Sequence, residues 1–282
     1  MSDSASSLAE QLARSIHPEK VFAFLPGMTP ANLAALYGVD EPAYAAIRGR
    51  FAAQTAEAAK GLLADPDFAA AVDRLPFPAG QTLAVIGEST TDAADSWLEI
   101  LRHLIGLRRP GDAINLVNAA ISGYPTTMLQ RVMTETLQRH RPGWVAIFAG
   151  TNDVLRYGTG AAKPLVTGTE TARNLAEMRR QAAAAGARLI WMTPTACDTA
   201  RIAAYPPFQG QQIRLEASDL RAVHDAIRAA AGAADTVVDL SDAFCSPPGA
   251  GLLSADGLHP TLAGQKAIAR RFVERLAGSD KA

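Results

Sequence analysis

A serine, an aspartate and a histidine occur in this chain in settings that suit nucleophilic catalysis. Ser89 lies in the segment GESTT at positions 87–91, and Asp256 and His259 lie three residues apart in the segment DGLHP at positions 256–260. A serine hydroxyl is a poor nucleophile until a base accepts its proton, and a carboxylate on one imidazole nitrogen leaves the other free to do so. These residues therefore predict a triad, with Ser89 as nucleophile, His259 as base and Asp256 orienting the base.

Two further segments offer hydrogen-bond donors for a developing negative charge. Gly123 lies in NAAISGYP at positions 118–125, and a glycine lets a backbone N–H approach a ligand closely because it has no Cβ. Asn152, in GTND at positions 150–153, adds a side-chain amide. Together with the Ser89 N–H, these groups predict an oxyanion hole. For Asp153 we expect a structural role, in which its carboxylate closes a turn.

The elements that must position these residues alternate between strands and helices. Five apolar runs have the length of strands: 82–86, 113–117, 144–148, 187–192 and 236–240. Amphipathic helical patterns separate them, and a last one spans 262–276. Such alternation predicts an α/β fold with a parallel sheet covered by helices on both faces. Each functional segment follows a strand, at the edge of the sheet where ligands bind in such folds.

Residues 1–78 have a different, helical and Ala-rich texture. Apolar residues recur at steps of three and four between Glu41 and Leu63, so one face of this helix must be covered. A short helix is expected from Phe68 to Leu75, followed by a connector containing Pro76 and Pro78. We therefore expect an N-terminal helical extension at 1–78 and a catalytic domain at 79–282. The extension either packs on that domain, covers the site, binds a partner or forms a homo-oligomer.

Simpler interpretations stay open at several of the candidate positions. Gly123 has the alternative of a simple turn glycine, and Asn152 that of a residue whose side chain closes a turn. Serine is favoured at helix N-caps, so one alternative is that Ser89 only caps the following helix. Similarly, Asp256 is a candidate cap for the last helix. The occurrence of all the segments after successive strands favours the catalytic interpretation.

The segments together resemble the SGNH hydrolases, also called the GDSL esterase/lipase family. The letters of that name match Ser89, Gly123, Asn152 and His259 in order, and the resemblance covers roughly residues 81–277. It implies a three-layer, flavodoxin-like fold with a five-stranded parallel sheet of order 2-1-3-4-5. It also implies ester hydrolysis through an acyl-enzyme, with the triad and oxyanion hole given above. One departure is Glu88, since the family usually has Asp before the serine.

The same residues are compatible with other functions. An acyltransferase or thioesterase would use the same triad with a different second reactant. From another class, the chain would be a binding module that keeps the fold and has lost activity. The Gly-x-Ser-x-Gly elbow of the α/β-hydrolases is absent from the sequence, which disfavours that fold.

Composition bounds the partners. The formal charge is −1 and basic residues are scattered, which disfavours nucleic acid as a partner. No apolar window is long enough for a membrane span, and the first ten residues lack the pattern of a secretory signal, so we expect a cytoplasmic enzyme. The spacing of Cys197 and Cys245 suits neither a zinc site nor a redox pair, and the mechanism requires no metal or other cofactor.

Substrate contacts are expected from two places near the same edge. Arg156 and Tyr157 follow Asn152 closely, while Arg201, Tyr205 and Phe208 lie in a long connection at 196–215. Long connections in compact domains are often functional, so we expect this one to form a wall of the pocket for a small-molecule ester.

Overall fold

A computed structural model describes residues 2–242, 244 and 251–278. Within them the chain forms seven strands: β1 (Thr82–Gly87), β2 (Asn115–Asn118), β3 (Trp144–Phe148), β4 (Leu155–Arg156), β5 (Arg188–Met192), β6 (Arg214–Leu215) and β7 (Thr236–Val238). The main sheet is parallel and has the order β2-β1-β3-β5-β7. The five expected strands thus follow the order 2-1-3-4-5. The sequence did not predict β4 and β6, which pair antiparallel in a separate ribbon.

Two strand bounds differ from expectation by two residues, and each has a local reason. β2 begins at Asn115 rather than Ala113, because Ala113 has a φ of 49° and extended backbone requires a negative φ. β7 ends at Val238 rather than Leu240, because the Leu240 N–H donates to the Thr193 hydroxyl at 2.7 Å instead of continuing the ladder.

Thirteen α-helices occur in the described residues, and each expected helix is among them. They are α1 (Ser2–Ser15), α2 (Pro18–Val21), α3 (Pro30–Leu36), α4 (Glu41–Leu63), α5 (Pro66–Asp73), α6 (Ser89–Asp92), α7 (Trp97–Arg108), α8 (Thr126–His140), α9 (Gly168–Ala184), α10 (Thr199–Ala204), α11 (Pro206–Gln209), α12 (Ala217–Ala230) and α13 (Leu262–Ala277). Short 3-10 turns occur at Pro110–Asp112 and Asn152–Val154.

The sheet is the middle of three layers, and successive side chains along a strand face two different hydrophobic clusters. Along β3, Trp144, Ala146 and Phe148 face the cluster formed with α4, α5, α7 and α13. Val145 and Ile147 face the opposite cluster, formed with α8, α9 and α12. Burial on both faces is what a parallel sheet requires, and it explains why each strand reads as a continuous apolar run. The predicted α/β fold class is confirmed.

The N-terminal helices pack on one of these layers. Phe68 and Val72 of α5 belong to the same buried cluster as Trp97 of α7 and Phe272 of α13. A smaller cluster joins α1, α3 and α4. A packed extension is therefore what the structure shows, whereas the domain division at 78/79 and assembly through these helices stay predictions. Among the described residues, no helix combines the length and apolarity needed to cross a bilayer.

Candidate active site

The side chains of Ser89, His259 and Asp256 lie in one hydrogen-bonded row. Ser89 Oγ is 2.9 Å from Nε2 of His259, and Nδ1 of the same imidazole is 2.7 Å from Asp256 Oδ2. Ser89 and His259 are 170 residues apart in the sequence, so only the fold brings them together. The imidazole is partly exposed, so the row can be reached from solvent.

Local backbone structure presents each member of the row at the carboxyl edge of the sheet. β1 ends at Gly87, and α6 begins at Ser89, so the serine lies on the first turn after the strand. Asp256 and His259 lie in the turn before α13. The cap of α13 is Thr261, whose hydroxyl accepts from the Gly264 N–H at 3.2 Å, so the alternative that Asp256 caps this helix is wrong.

Asp256 is ionised and holds the turn that carries His259. Its Oδ1 accepts hydrogen bonds from the backbone N–H groups of Leu258 and His259 and from the Ser254 hydroxyl, at 2.8, 2.9 and 2.6 Å. Burial works to raise the pKa of Asp256, but these bonds and the bond with the imidazole outweigh it and lower the pKa well below its usual range. An ionised Asp256 accepts from Nδ1–H, so Nε2 is free to accept from the serine.

Glu88 and Asn152 form a second, buried arrangement behind the serine. Glu88 is 3% exposed. Its carboxylate accepts from the backbone N–H groups of Thr151 and Asn152 at 3.0 and 3.1 Å, and from Asn152 Nδ2 at 2.8 Å. Burial raises the pKa of Glu88 to about 7, and the nearby Asp153 carboxylate acts in the same direction, while the hydrogen bonds oppose it. The longer residue in place of the usual Asp thus reaches across from β1 to the end of β3.

The loop that carries Gly123 lies beside Asn152. The carbonyl of Tyr124 is 3.3 Å from Asn152 Nδ2, and the Ile121 N–H donates to the Gly87 carbonyl at 3.0 Å. Gly123 has a φ of 80°, the left-handed region that favours glycine. Among the described acceptors, none receives a hydrogen bond from the N–H of Ser89 or of Gly123. Ser89, Gly123 and Asn152 therefore share one rim of the sheet.

Asp153 has a structural role, as expected, but its carboxylate joins distant elements and does not close a local turn as the sequence suggested. It is fully buried, and its carboxylate accepts from the N–H and the hydroxyl of Thr126 at 2.6 Å each, and from the Thr171 hydroxyl at 2.7 Å. Burial raises the pKa of Asp153 and these bonds counteract it. The residue fixes the start of α8 and the start of α9 against the turn that presents Asn152.

The candidate substrate contacts fall into two groups. The arginines are engaged within the protein: Arg156 pairs with Asp219 and donates to the Ala162 carbonyl at 2.6 Å, and Arg201 donates to the Leu253 and Ser254 carbonyls. The aromatic residues are more accessible. Tyr157 is exposed, and Tyr205 and Phe208 stack edge to face with their ring centres 5.0 Å apart. Their role in substrate binding stays a prediction.

The connection at 196–215 is more regular than the sequence suggested. It contains α10, α11 and β6, which the sequence did not predict. The Asp198 carboxylate caps α10 by accepting from the Arg201 N–H at 3.0 Å, and Pro206 occupies the first position of α11. These helices are too short to give a periodic apolar pattern, which is why the sequence missed them.

Cys197 is a free thiol near this site. Burial raises its pKa to about 12, with the charges of Glu88 and Asp256 adding to the effect, so the thiol stays protonated at neutral pH. Cys245 lies outside the described residues. In the described part of the chain, no three His, Cys, Asp or Glu side chains are grouped so that they would hold a metal ion.

Sequence reasoning missed several residues that support the site. Gln265 of α13 is 1% exposed, donates to the Thr90 carbonyl at 3.0 Å and accepts from the Trp97 N–H at 2.9 Å. Lys20 and Arg14, from the N-terminal helices, contact the elements around the serine and the histidine. No local motif marks these residues, because their partners lie 72 to 246 residues away in the sequence.

The sheet order, the two helical layers and the serine after the first strand define a three-layer α/β fold of flavodoxin type. Residues 84–267 match the model of the GDSL-like Lipase/Acylhydrolase family. The chain belongs to this family, as the resemblance implied, and is a carboxylic ester hydrolase.

Individual relatives agree with this membership. Esterase TesA of Pseudomonas aeruginosa is 30% identical over 194 residues, which are 66% of this chain and 83% of TesA. The crystal structure of LAE5, an alpha/beta hydrolase enzyme from the metagenome of Lake Arreo in Spain, superposes with a TM-score of 0.58 at 22% identity over 72% of this chain and 97% of LAE5. Axe2, an acetylxylan esterase from Geobacillus stearothermophilus, gives 0.55 at 20% identity over 71% and 95% of the two chains. The structural likenesses show the fold.

Proposed function

We propose that this enzyme cleaves carboxylic esters through a covalent acyl-enzyme on Ser89. The observation that carries the proposal is the pair of bonds from Ser89 Oγ to His259 at 2.9 Å and from His259 to Asp256 at 2.7 Å. His259 Nε2 accepts the serine proton as Oγ attacks the ester carbonyl carbon. The resulting imidazolium then donates that proton to the leaving alkoxide, and the ionised Asp256 stabilises it throughout.

The oxygen that carries the negative charge of the tetrahedral intermediate would face the rim formed by Ser89, Gly123 and Asn152. The N–H groups of Ser89 and Gly123 would both donate to the oxyanion. The Asn152 amide has two hydrogens, one directed at Glu88 at 2.8 Å and one at the Tyr124 carbonyl at 3.3 Å. The longer of these bonds is the weaker, so that hydrogen would turn to the oxyanion while Glu88 holds the amide in place.

Water completes the cycle by the same groups. His259 removes a proton from a water molecule, the hydroxide adds to the acyl carbonyl, and collapse of the intermediate returns the proton to Ser89 Oγ and releases the acid. The scheme requires no cofactor. Because His259 must be neutral to accept a proton, we expect activity to fall at acid pH.

A fluorophosphonate probe tests the proposal directly. The wild-type protein should form a single covalent adduct, and peptide mapping should place it on Ser89. Ser89→Ala should neither label nor hydrolyse p-nitrophenyl esters of any chain length. Ser218→Ala, which removes an exposed hydroxyl on α12, serves as the control and should behave as wild type.

Two results would contradict the proposal. Labelling of folded wild-type protein at another residue, or at none, would remove Ser89 from the reaction. Product analysis with added alcohol or thiol acceptors separates hydrolysis from acyl transfer. Acyl transfer in preference to hydrolysis in dilute aqueous acceptor would replace the ester-hydrolase assignment by a transferase.

A further inference from the structure

Lys20 of the N-terminal extension reaches into the base of the loop that carries Gly123. Its Nζ donates to Asp92 Oδ1 at 2.5 Å, to Asn118 Oδ1 at 3.2 Å and to the Ala120 carbonyl. Asp92, whose side chain is 2% exposed, uses its other oxygen to accept from the N–H and the hydroxyl of Ser122 at 2.8 and 2.9 Å. The Asp92 carboxylate therefore links the Lys20 ammonium group to Ser122, the residue before Gly123.

Asp92 connects this arrangement to the nucleophile as well. It is the last residue of α6, the single-turn helix that begins at Ser89. A buried carboxylate is stable only while an opposite charge or several donors face it. Removing the Lys20 charge would leave Asp92 without its cation, and both α6 and the Ser122–Gly123 backbone would lose a fixed point.

Arg14, at the end of α1, makes the matching contact on the histidine side. Its Nε donates to Asp95 Oδ1 at 2.8 Å and its Nη2 to the carbonyl of Pro260 at 3.2 Å. Its own carbonyl accepts from the Ala94 N–H at 2.8 Å. Pro260 directly follows His259, so this guanidinium bonds to the backbone next to the imidazole.

We propose that Lys20 and Arg14 are positioning residues for the reaction, which makes the N-terminal extension a working part of the active site. This inference rests on the proposed function. Neither residue bonds to the Ser89 or His259 side chain, so each acts through another group: Lys20 through Asp92 on the oxyanion donors, and Arg14 through Pro260 on the general base. Placement of these groups within fractions of an ångström matters most in the transition state.

The test compares Lys20→Gln and Arg14→Gln with Arg50→Gln. Arg50 forms an exposed bond to Glu10 at 2.9 Å within the same extension and serves as the matched control. With p-nitrophenyl acetate, and with rates normalised to sites titrated by fluorophosphonate, each site variant should lose about 10- to 100-fold in kcat with KM nearly unchanged. Arg50→Gln should match wild type.

A transition-state readout separates positioning from loss of folded protein. A boronic acid that adds to Ser89 mimics the tetrahedral oxyanion, so its affinity for Lys20→Gln should fall by the same factor as kcat/KM. Lys20→Arg keeps the charge and should recover most of the activity. If Lys20→Gln does not fold, Lys20→Met combined with Asp92→Asn removes both charges and should fold with the same loss in kcat.

The outcomes of the two proposals are distinguishable. An active wild type together with site variants that keep its kcat and boronate affinity would overturn this inference and leave the triad standing. Full activity of the Lys20→Met, Asp92→Asn double variant would likewise overturn the positioning role of Lys20. A wild type that neither labels at Ser89 nor cleaves esters would overturn the proposed function, and this inference with it.

Discussion

The carboxylate of Glu88 accepts a hydrogen bond from the side-chain amide of Asn152 at 2.8 Å, in a place closed to solvent. The two residues follow neighbouring strands of the sheet, β1 and β3. Glu88 adjoins the nucleophile, and Asn152 supplies an expected donor to the oxyanion. One buried bond therefore couples the position of the proposed nucleophile, Ser89, to the position of a proposed hydrogen-bond donor to the oxyanion.

The ionisation of Glu88 should make stability depend on pH. Its pKa is raised from 4.5 to about 7 in the folded protein, so between these values the folded state binds a proton that the unfolded chain has lost. Stability should therefore fall as pH rises through this window, by about 3 kcal/mol for this group. Urea unfolding of wild type and Glu88→Gln at pH 4.5, 6 and 8 measures it. The advantage of wild type over the variant should shrink with pH, and parallel curves would refute the assignment.

Loss of the Asn152 amide should weaken catalysis without abolishing it. Asn152→Ala removes one of three expected donors, and such a loss costs about a hundred- to a thousandfold in kcat. Steady-state kinetics with p-nitrophenyl acetate measure the effect, and KM should change little. Asn115→Ala, an exposed asparagine on β2, is the control. An Asn152→Ala enzyme with the wild-type kcat would exclude the amide from the oxyanion hole.

Replacing the Asp256 carboxylate by an amide should fix the wrong form of the imidazole. The amide of Asp256→Asn can donate to Nδ1 of His259, which leaves the imidazole proton on Nε2. Protonated Nε2 cannot accept the proton of the Ser89 hydroxyl. A drop of about ten thousandfold in kcat is expected at neutral pH. Asp225→Asn, an exposed position on α12, controls for loss of a charge. A drop of less than tenfold in Asp256→Asn would show that another group orients His259.

The turn between Asp256 and His259 should not tolerate a side chain at Gly257. This residue has a φ of 71°, and a Cβ there would lie 2.7 Å from the Asp198 carbonyl and from Arg201 Cβ. Gly38 has a similar φ of 74° with open space around it, so Gly38→Ala carries the backbone strain alone. Thermal unfolding should show that Gly257→Ala is the less stable by about 1 to 3 kcal/mol, with reduced kcat. Equal losses of stability in Gly257→Ala and Gly38→Ala would show that the turn accommodates the added Cβ without further strain.

Much of this architecture could be predicted from the local spacing of apolar and turn residues in the sequence. The five sheet strands are apolar runs bounded by turn residues, and α4 starts and ends where the spacing of its apolar residues predicts. The segments around Ser89, Gly123, Asn152 and His259 could be placed because each follows a strand. Each segment contains one residue whose type suits a catalytic role, so the candidate catalytic residues could be identified from the sequence.

What the sequence did not predict depends on contacts between distant parts of the chain. β4 and β6 are two residues each, and they are strands only because they pair with each other. Lys20 and Arg14 look like ordinary helix-surface cations until the fold brings Asp92 and Pro260 to them. Arg156 and Arg201 illustrate the opposite case, since their positions near the site suggested substrate contacts and the structure engages both with the protein itself.

The shared packing of α5, α7 and α13 has a practical consequence for anyone who wishes to shorten this enzyme. Residues 84–267 would look like a natural minimal unit, yet that cut removes Phe68, Val72 and Phe77 and ends before Phe272. The faces of the remaining helices would meet water with no cover, and an uncovered apolar surface of that kind promotes aggregation. A shortened enzyme should therefore keep α5 and the whole of α13.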